Sequence, residues 1–236
     1  LIPFILTSYK TAKEDVVPFG QKLAFGSGHL ANQLFPAAMS VFMVVLVLAL
    51  KMDPFLAGLL SALPRLLDAL TDPIMGYISD NTKSHWGRRK PYIFVGSVIT
   101  GLTFMGMWRL YPENSQTYNF FFFLGMSIIF YLGYTIFATP LIGLGYEMSP
   151  DYHERTRLMG VQNFMGQLAY VISPWFLLMM QADVFDNMVE GAAYLAIGIM
   201  VLTIGVGILP AIYLRERFAA PVSQQIPCTD PATREP

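Results

Sequence analysis

Asp68 and Asp72 stand in a stretch, Pro54 to Ile78, that is otherwise apolar enough to cross a membrane. A carboxylate at mid-bilayer costs ~2.5 to 3.5 kcal/mol even on lenient insertion scales, so such groups usually face a polar cavity. Arg65, Asp68 and Asp72 fall at i, i+3 and i+7, which puts all three on one stripe of a helix with 3.6 residues per turn. Arg65 can serve as charge partner to one carboxylate but not to both. The cheapest partner for the remaining negative charge is a cation: a proton, a sodium ion or a basic group on another helix. A proton needs one carboxylate. Sodium needs several oxygens, which Asp68, Asp72, Thr71 and Thr135 supply if the second and fourth helices touch. The plainer reading, a structural ion-pair network with Arg65, leaves the charges unbalanced.

The elements that must position these groups are apolar helices. The chain is 54% hydrophobic and only 13% charged, with mean hydropathy +0.49, whereas a soluble chain carries about 25% charged residues. Six apolar stretches are each long enough for the ~20 residues a span requires: Leu23 to Leu50, Pro54 to Ile78, Pro91 to Leu110, Tyr118 to Tyr146, Leu158 to Met180 and Ala192 to Leu214. The fold class expected is an all-α membrane protein, a six-transmembrane-helix bundle over 22–215, with a cytoplasmic N-terminal segment over 1–21 and a cytoplasmic linker or tail over 216–236. With the N-terminus cytoplasmic, the inside segments hold Lys10, Lys13, Lys22, Lys83, Arg88, Arg89, Lys90, Arg155, Arg157, Arg215, Arg217 and Arg234, and the outside loops hold Lys51 and Arg109. That bias follows the positive-inside rule and sets both termini in the cytoplasm. The turn with Asp183, Asp186 and Glu190 has no basic residue and fits the outer face.

Other features narrow the function. Cys228 is the single cysteine and excludes an intrachain disulfide. A net charge of -1 gives no basic surface for nucleic acid. Leu1 to Leu6 is too short for a signal peptide, and the chain does not begin with Met, so it is expected to start after processing or to be a portion of a longer protein. His29, Asn32 and Gln33 make a polar stripe on the first helix, and Asn163, Gln167 and Tyr170 another on the fifth. In hydrocarbon such stripes mark either helix-to-helix hydrogen bonds or a water-lined cavity, and the cavity reading makes these six residues candidates for binding solute. Gly26, Gly28, Gly133, Gly143 and Gly145 are expected at close helix contacts, and Pro36, Pro64, Pro73, Pro140 and Pro174 within spans. Glu147 sits at a helix end beside the run Asp151, Glu154, Arg155 and Arg157, which reads as a solvated loop.

Between Arg65 and Pro91 the chain reads RLLDALTDPIMGYISDNTKSHWGRRKP. This resembles the glycoside-pentoside-hexuronide cation symporters, the melibiose-permease-like branch of the major facilitator superfamily, in its N-terminal six-helix half. The resemblance implies that the D-x-x-x-D-P pair, here Asp68, Asp72 and Pro73, binds the coupling sodium ion or proton. It also implies a cytoplasmic gate in the G-x-x-x-D…G-[RK]-[RK] loop, matched by Gly76, Asp80, Gly87, Arg88 and Arg89, with Lys90 following. A second block, GYEMSPDYHERTRL from Gly145 to Leu158, is similar to that family's loop between the fourth and fifth helices. The likeness extends from Lys22 to Phe218. It departs at the sugar clamp: Gln33 and Asn163 stand where the melibiose permeases have an acidic residue and an arginine, and Ala138 replaces a third acidic residue, although Thr135 and Pro140 match. The family's second six-helix half, with a lysine near the cation site, has no counterpart in this chain.

The function expected is cation-coupled secondary transport of a small polar solute, a sugar or glycoside, by alternating access in a bacterial inner membrane. Expected partners are membrane lipid, the solute and a second six-helix half, from the same gene product or another chain. No cofactor is expected beyond the coupling ion. A non-transporting subunit built on the same half-bundle is the alternative. An intramembrane magnesium-dependent transferase is a third reading, but it needs aspartates clustered at a membrane surface in two motifs, and no second motif is present.

Overall fold

The computed structural model describes residues 11–13, 15–214 and 216. Leu1 to Leu6, Lys10, Arg215, Arg217, Cys228 and Arg234 lie outside the described residues. The chain folds into helices α1 (Phe19–Leu48), α2 (Pro54–Asn81), α3 (Lys90–Met107), α4 (Gln116–Glu147), α5 (Tyr152–Met180), α6 (Met188–Gly207) and the single turn α7 (Leu209–Tyr213). Each of the six apolar stretches is a helix, and their starts are set by local chemistry. Asp53 caps α2 by accepting from the Phe55 N–H, ahead of Pro54 in the first turn. Ser115 caps α4, Asp151 caps α5 and Asn187 caps α6 in the same way. The sixth stretch holds as one segment, Met188–Tyr213, in which α6 and α7 meet at Ile208; its backbone stays helical there (φ -77, ψ -25), and the interruption comes from Pro210, which has no N–H to give the preceding turn. The prolines at 36, 64, 73, 140 and 174 lie inside helices.

Packing is pairwise: α1 lies on α5 and α6, α4 on α3 and α2, and α3 on α6. Gly96 shows how closely α3 and α4 approach, since a Cβ there would lie 2.5 Å from the Phe137 nitrogen. The expected close-contact glycines behave alike; a Cβ at Gly26 would press on Met165 and one at Gly133 on Ile99. One half of the bundle is filled by an aromatic cluster, with Phe42 against Trp108 at 4.6 Å and Phe35 against Phe104 and Phe130 at 5.5 Å. The other half is filled by Phe25, Ile93, Phe137, Leu141 and Leu158.

By length and composition, four segments are apolar enough to cross a membrane: α1, α2, α4 and Met188–Tyr213. Helix α3 is only 18 residues and begins at Lys90, and α5 carries charges in its first two turns and the Asn163 stripe beyond. The helices also differ in how much of them is covered. In its most apolar window α2 is 17% buried against 56% for α1, and Leu66, Leu70 and Tyr77 project from it. Helix α5 likewise exposes Phe164, Val171 and Trp175. Loops 82–89 and 148–151 share one end, called here the basic end; loops 49–53, 108–115 and 181–187 share the other.

Candidate functional site in the second helix

The acidic stripe of α2 faces α4. Thr135 Oγ1 donates to Asp68 Oδ1 at 3.4 Å, and Thr139 Oγ1 donates to Asp72 Oδ1 at 3.1 Å. The two carboxylates and the two threonines are each spaced i, i+4, so the helices meet in two rungs one turn apart. Thr71, whose hydroxyl donates to the Leu67 carbonyl, lies 3.3 Å from Thr135 Oγ1 between the rungs. Asp68, Thr71, Asp72 and Thr135 are thus brought together. Thr139 was missed by the sequence reading, although its spacing of four from Thr135 was the available signal.

Asp68 is half-buried and opens into a cavity of about 170 Å³ lined by Arg65, Tyr131 and Tyr134 with Phe35 and Pro36 of α1. Asp72 is exposed, at the edge of the contact between α2 and α4. Arg65 shares the Asp68 cavity without bridging it: the ion pairs among the described residues all lie at the basic end. The cavity therefore holds a cation and a carboxylate that do not neutralise each other by direct contact. Among the described residues no three His, Cys, Asp or Glu side chains converge as a metal cluster would require. A cation held at this place would have to use the threonine hydroxyls alongside the two carboxylates.

The two polar stripes fall elsewhere. His29 and Asn32 are buried, and neither lines the Asp68 cavity. The His29 ring stands edge-on to Phe25 at 4.8 Å, and its Nε2 has no protein partner. The Asn32 carbonyl accepts from Tyr134 Oη at 3.3 Å while its Oδ1 has no partner. Gln33 packs its stem over Gly166 of α5. Asn163, Gln167 and Tyr170 are exposed on α5.

At the basic end the gate residues form one lattice. Arg89 donates from Nε and Nη2 to Asp80 Oδ1 and lies 3.1 Å from Glu147, which also takes Arg88 Nη2 at 2.6 Å. The Arg89 guanidinium lies on Gly143, where a Cβ would be 2.6 Å from Nη1. Glu216, the described residue that opens the stretch read as a tail, accepts from the backbone N–H groups of Arg88, Arg89 and Lys90 at 2.7, 2.9 and 3.2 Å. It supplies the start of α3 with the partners that a helix N-terminus lacks. Gly87 permits this approach, since it holds φ +117 and a Cβ there would lie 2.8 Å from the Glu216 carboxylate. The lattice ties the ends of α2, α4 and α7 to the loop before α3.

Glu154 corrects the solvated-loop reading. It is fully buried, paired with Lys22 at 2.5 Å and Arg157 at 3.2 Å, and accepts from the Val17 N–H at 3.1 Å. Burial pushes its carboxyl up, but the hydrogen bonds from Lys22, Val17 and Arg157 outweigh that and hold it below the usual glutamate range. Three bonds into a carboxylate that cannot reach water explain why it is buried at all. Its i, i+3 spacing from Asp151, a capping pattern, was the legible part.

Six apolar helices, a paired-carboxylate stripe on the second and a charge lattice at one end define half of a major-facilitator-type helical bundle in a membrane. A sequence profile of the MFS/sugar transport protein family matches residues 24–229. The chain belongs to that family, in its glycoside-pentoside-hexuronide branch. It is similar to an uncharacterized symporter of Synechocystis sp., 29% identical over 210 residues covering 86% of this chain and 39% of the relative. It is also similar to the lactose permease of Lactobacillus helveticus, 26% identical over 70% of this chain and 27% of that protein. The inner membrane symporter YicJ of Escherichia coli is 25% identical over 62% of this chain and 32% of its own length. The chain thus spans well under half the length of these relatives.

Proposed function

We propose that this chain is the N-terminal half-bundle of a cation-coupled secondary transporter for a small polar solute of the sugar or glycoside class. One observation carries the reading: Asp68 and Asp72 are each met by a threonine hydroxyl of α4, in a helix that exposes Leu66, Leu70 and Ile74 around them. That arrangement keeps two carboxylates at membrane depth with too few internal counter-charges, and a proton or sodium ion completes it. The exposed faces of α2 and α5 are where a second six-helix half would close over the site and the Asn163 stripe. Rocking of the two halves, with the basic-end lattice opening and closing, would expose the solute alternately to each side. The bias of basic residues supports a cytoplasmic position for that end, in a bacterial inner membrane. The name of the lactose permease relative supports the solute class, and the name of the symporter relative supports coupling.

The test is uptake of labelled lactose and of a methyl glycoside into proteoliposomes holding the full-length gene product. A sodium gradient, a proton gradient and no gradient are compared. Concentrative uptake under one gradient is expected. Uptake that only equilibrates under all three conditions would remove the coupling role from Asp68 and Asp72.

A further inference from the structure

A second charged cavity lies at the end of the bundle opposite the gate. It has a volume of about 470 Å³ and sits between the loop after α3 and the start of α6, with Arg109, Tyr111, Asp186, Glu190 and Tyr194 in its wall. It is built rather than accidental. Asn119 Nδ2 donates to the Tyr111 carbonyl at 3.1 Å, the Asp186 N–H donates to Glu190 Oε2 at 3.0 Å, and Tyr194 stacks on Phe185 at 5.6 Å. Arg109 and Asp186 share this cavity, yet among the described residues neither side chain enters an ion pair. On the other side of Tyr194 lies an apolar cavity of about 400 Å³, walled by Met179, Val184, Phe185 and Leu195. Tyr194 belongs to both.

A half-open cleft with one guanidinium, two carboxylates and two phenol rings in its wall, adjoining an apolar cleft at the end of a membrane bundle, suits a molecule with both a zwitterionic head and an apolar chain. We infer that it seats a zwitterionic aminophospholipid in the leaflet away from the gate. Arg109 takes the phosphate, as a planar guanidinium suits its oxygens. Asp186 takes the ammonium, with the faces of Tyr111 and Tyr194 beside it. The apolar cleft past Tyr194 takes the upper acyl chain. An anionic lipid lacking the amine would leave Asp186 and Glu190 facing a second negative charge, so the site selects against it. This site is remote from Asp68 and does not depend on the transport reading, only on the chain's place in a membrane.

The test is native mass spectrometry of the full-length protein, delipidated and titrated with equal amounts of phosphatidylethanolamine and phosphatidylglycerol. Wild type is expected to retain phosphatidylethanolamine at least tenfold better. Arg109→Ala should lose that retention, Arg109→Lys should keep most of it, and Asp186→Asn should abolish the preference between the two lipids. Both side chains are exposed, so the variants are expected to fold, which an unchanged melting profile would check. Equal retention of both lipids by wild type would overturn the proposal, as would unchanged retention in Arg109→Ala. Displacement of the lipid by equimolar soluble phosphoethanolamine would overturn it too, because the apolar cleft would then contribute nothing.

Discussion

At the scale of single residues, the threonine of each rung aims its carboxylate at α4. Asp68→Asn and Asp72→Asn keep shape but remove charge, so each should abolish gradient-driven accumulation while leaving insertion and thermal stability near wild type. Unchanged concentrative uptake in both variants would refute the assignment. Thr135→Val removes the hydroxyl that Asp68 and Thr71 share, and should weaken apparent cation affinity by about 2- to 10-fold, the worth of one net hydrogen bond. Glu154 makes a separate prediction from pH. Its folded carboxyl titrates below the usual range, so its stabilisation is complete above the unfolded value, about 4.3, and disappears as pH falls through the depressed folded value. Thermal inactivation in detergent should therefore worsen between pH 5 and 3. Glu154→Gln should melt lower at pH 7, by about 1.5 to 3 kcal/mol of lost charge-assisted bonding, and should lose that acid-dependent step; a variant that kept the step would assign it to another group.

At the scale of helices, the lattice of Asp80, Arg88, Arg89 and Glu147 holds the ends of α2 and α4 against the loop before α3. A part-exposed ion pair is worth ~0 to 1 kcal/mol alone, yet ~1.4 kcal/mol changes a conformational ratio tenfold. Asp80→Asn should slow transport while equilibrium solute affinity changes less, and an intact rate would reduce the loop to a topology signal. Gly143→Val should do the same from α4, because its side chain would displace the Arg89 guanidinium; measuring both rates shows whether the lattice acts as one unit. The helices and the α2 stripe were legible in the sequence, since each is a matter of apolar length or of spacing along a few turns, while the gate loop of Asp80, Arg88 and Arg89 came from the family resemblance, without the choice of partner. Thr139, Glu154 and Glu216 were not. Their partners lie 67, 137 and 128 residues away, and only the packing of α4 on α2, of α5 on the N-terminal segment and of α7 on the loop before α3 brings them into reach. The same limit applies to the stripe on α1: its period was clear, but which neighbour it faces depended on how α1 is turned against α5.

At the scale of the whole molecule, two of the six long helices present wide apolar faces that nothing described here covers. If a second half closes over α2, a fluorophore at Leu70→Cys in the full-length protein should be shielded from a quencher dissolved in lipid. The same label at Val201→Cys on α6, a position of similar exposure in this half, should be quenched strongly. Equal quenching at both sites would leave α2 facing lipid and would argue against the closed site. The Glu216 contact also has a consequence in time. The loop it completes is made 128 residues earlier, which at about 5 to 20 residues per second is roughly 6 to 26 s of synthesis. Throughout that interval the amides at the start of α3 await their carboxylate, and all six long helices can be in the bilayer before the lattice is whole. The half-bundle is closed by nearly the last residue it makes, so completion of the lattice reports that α6 has arrived.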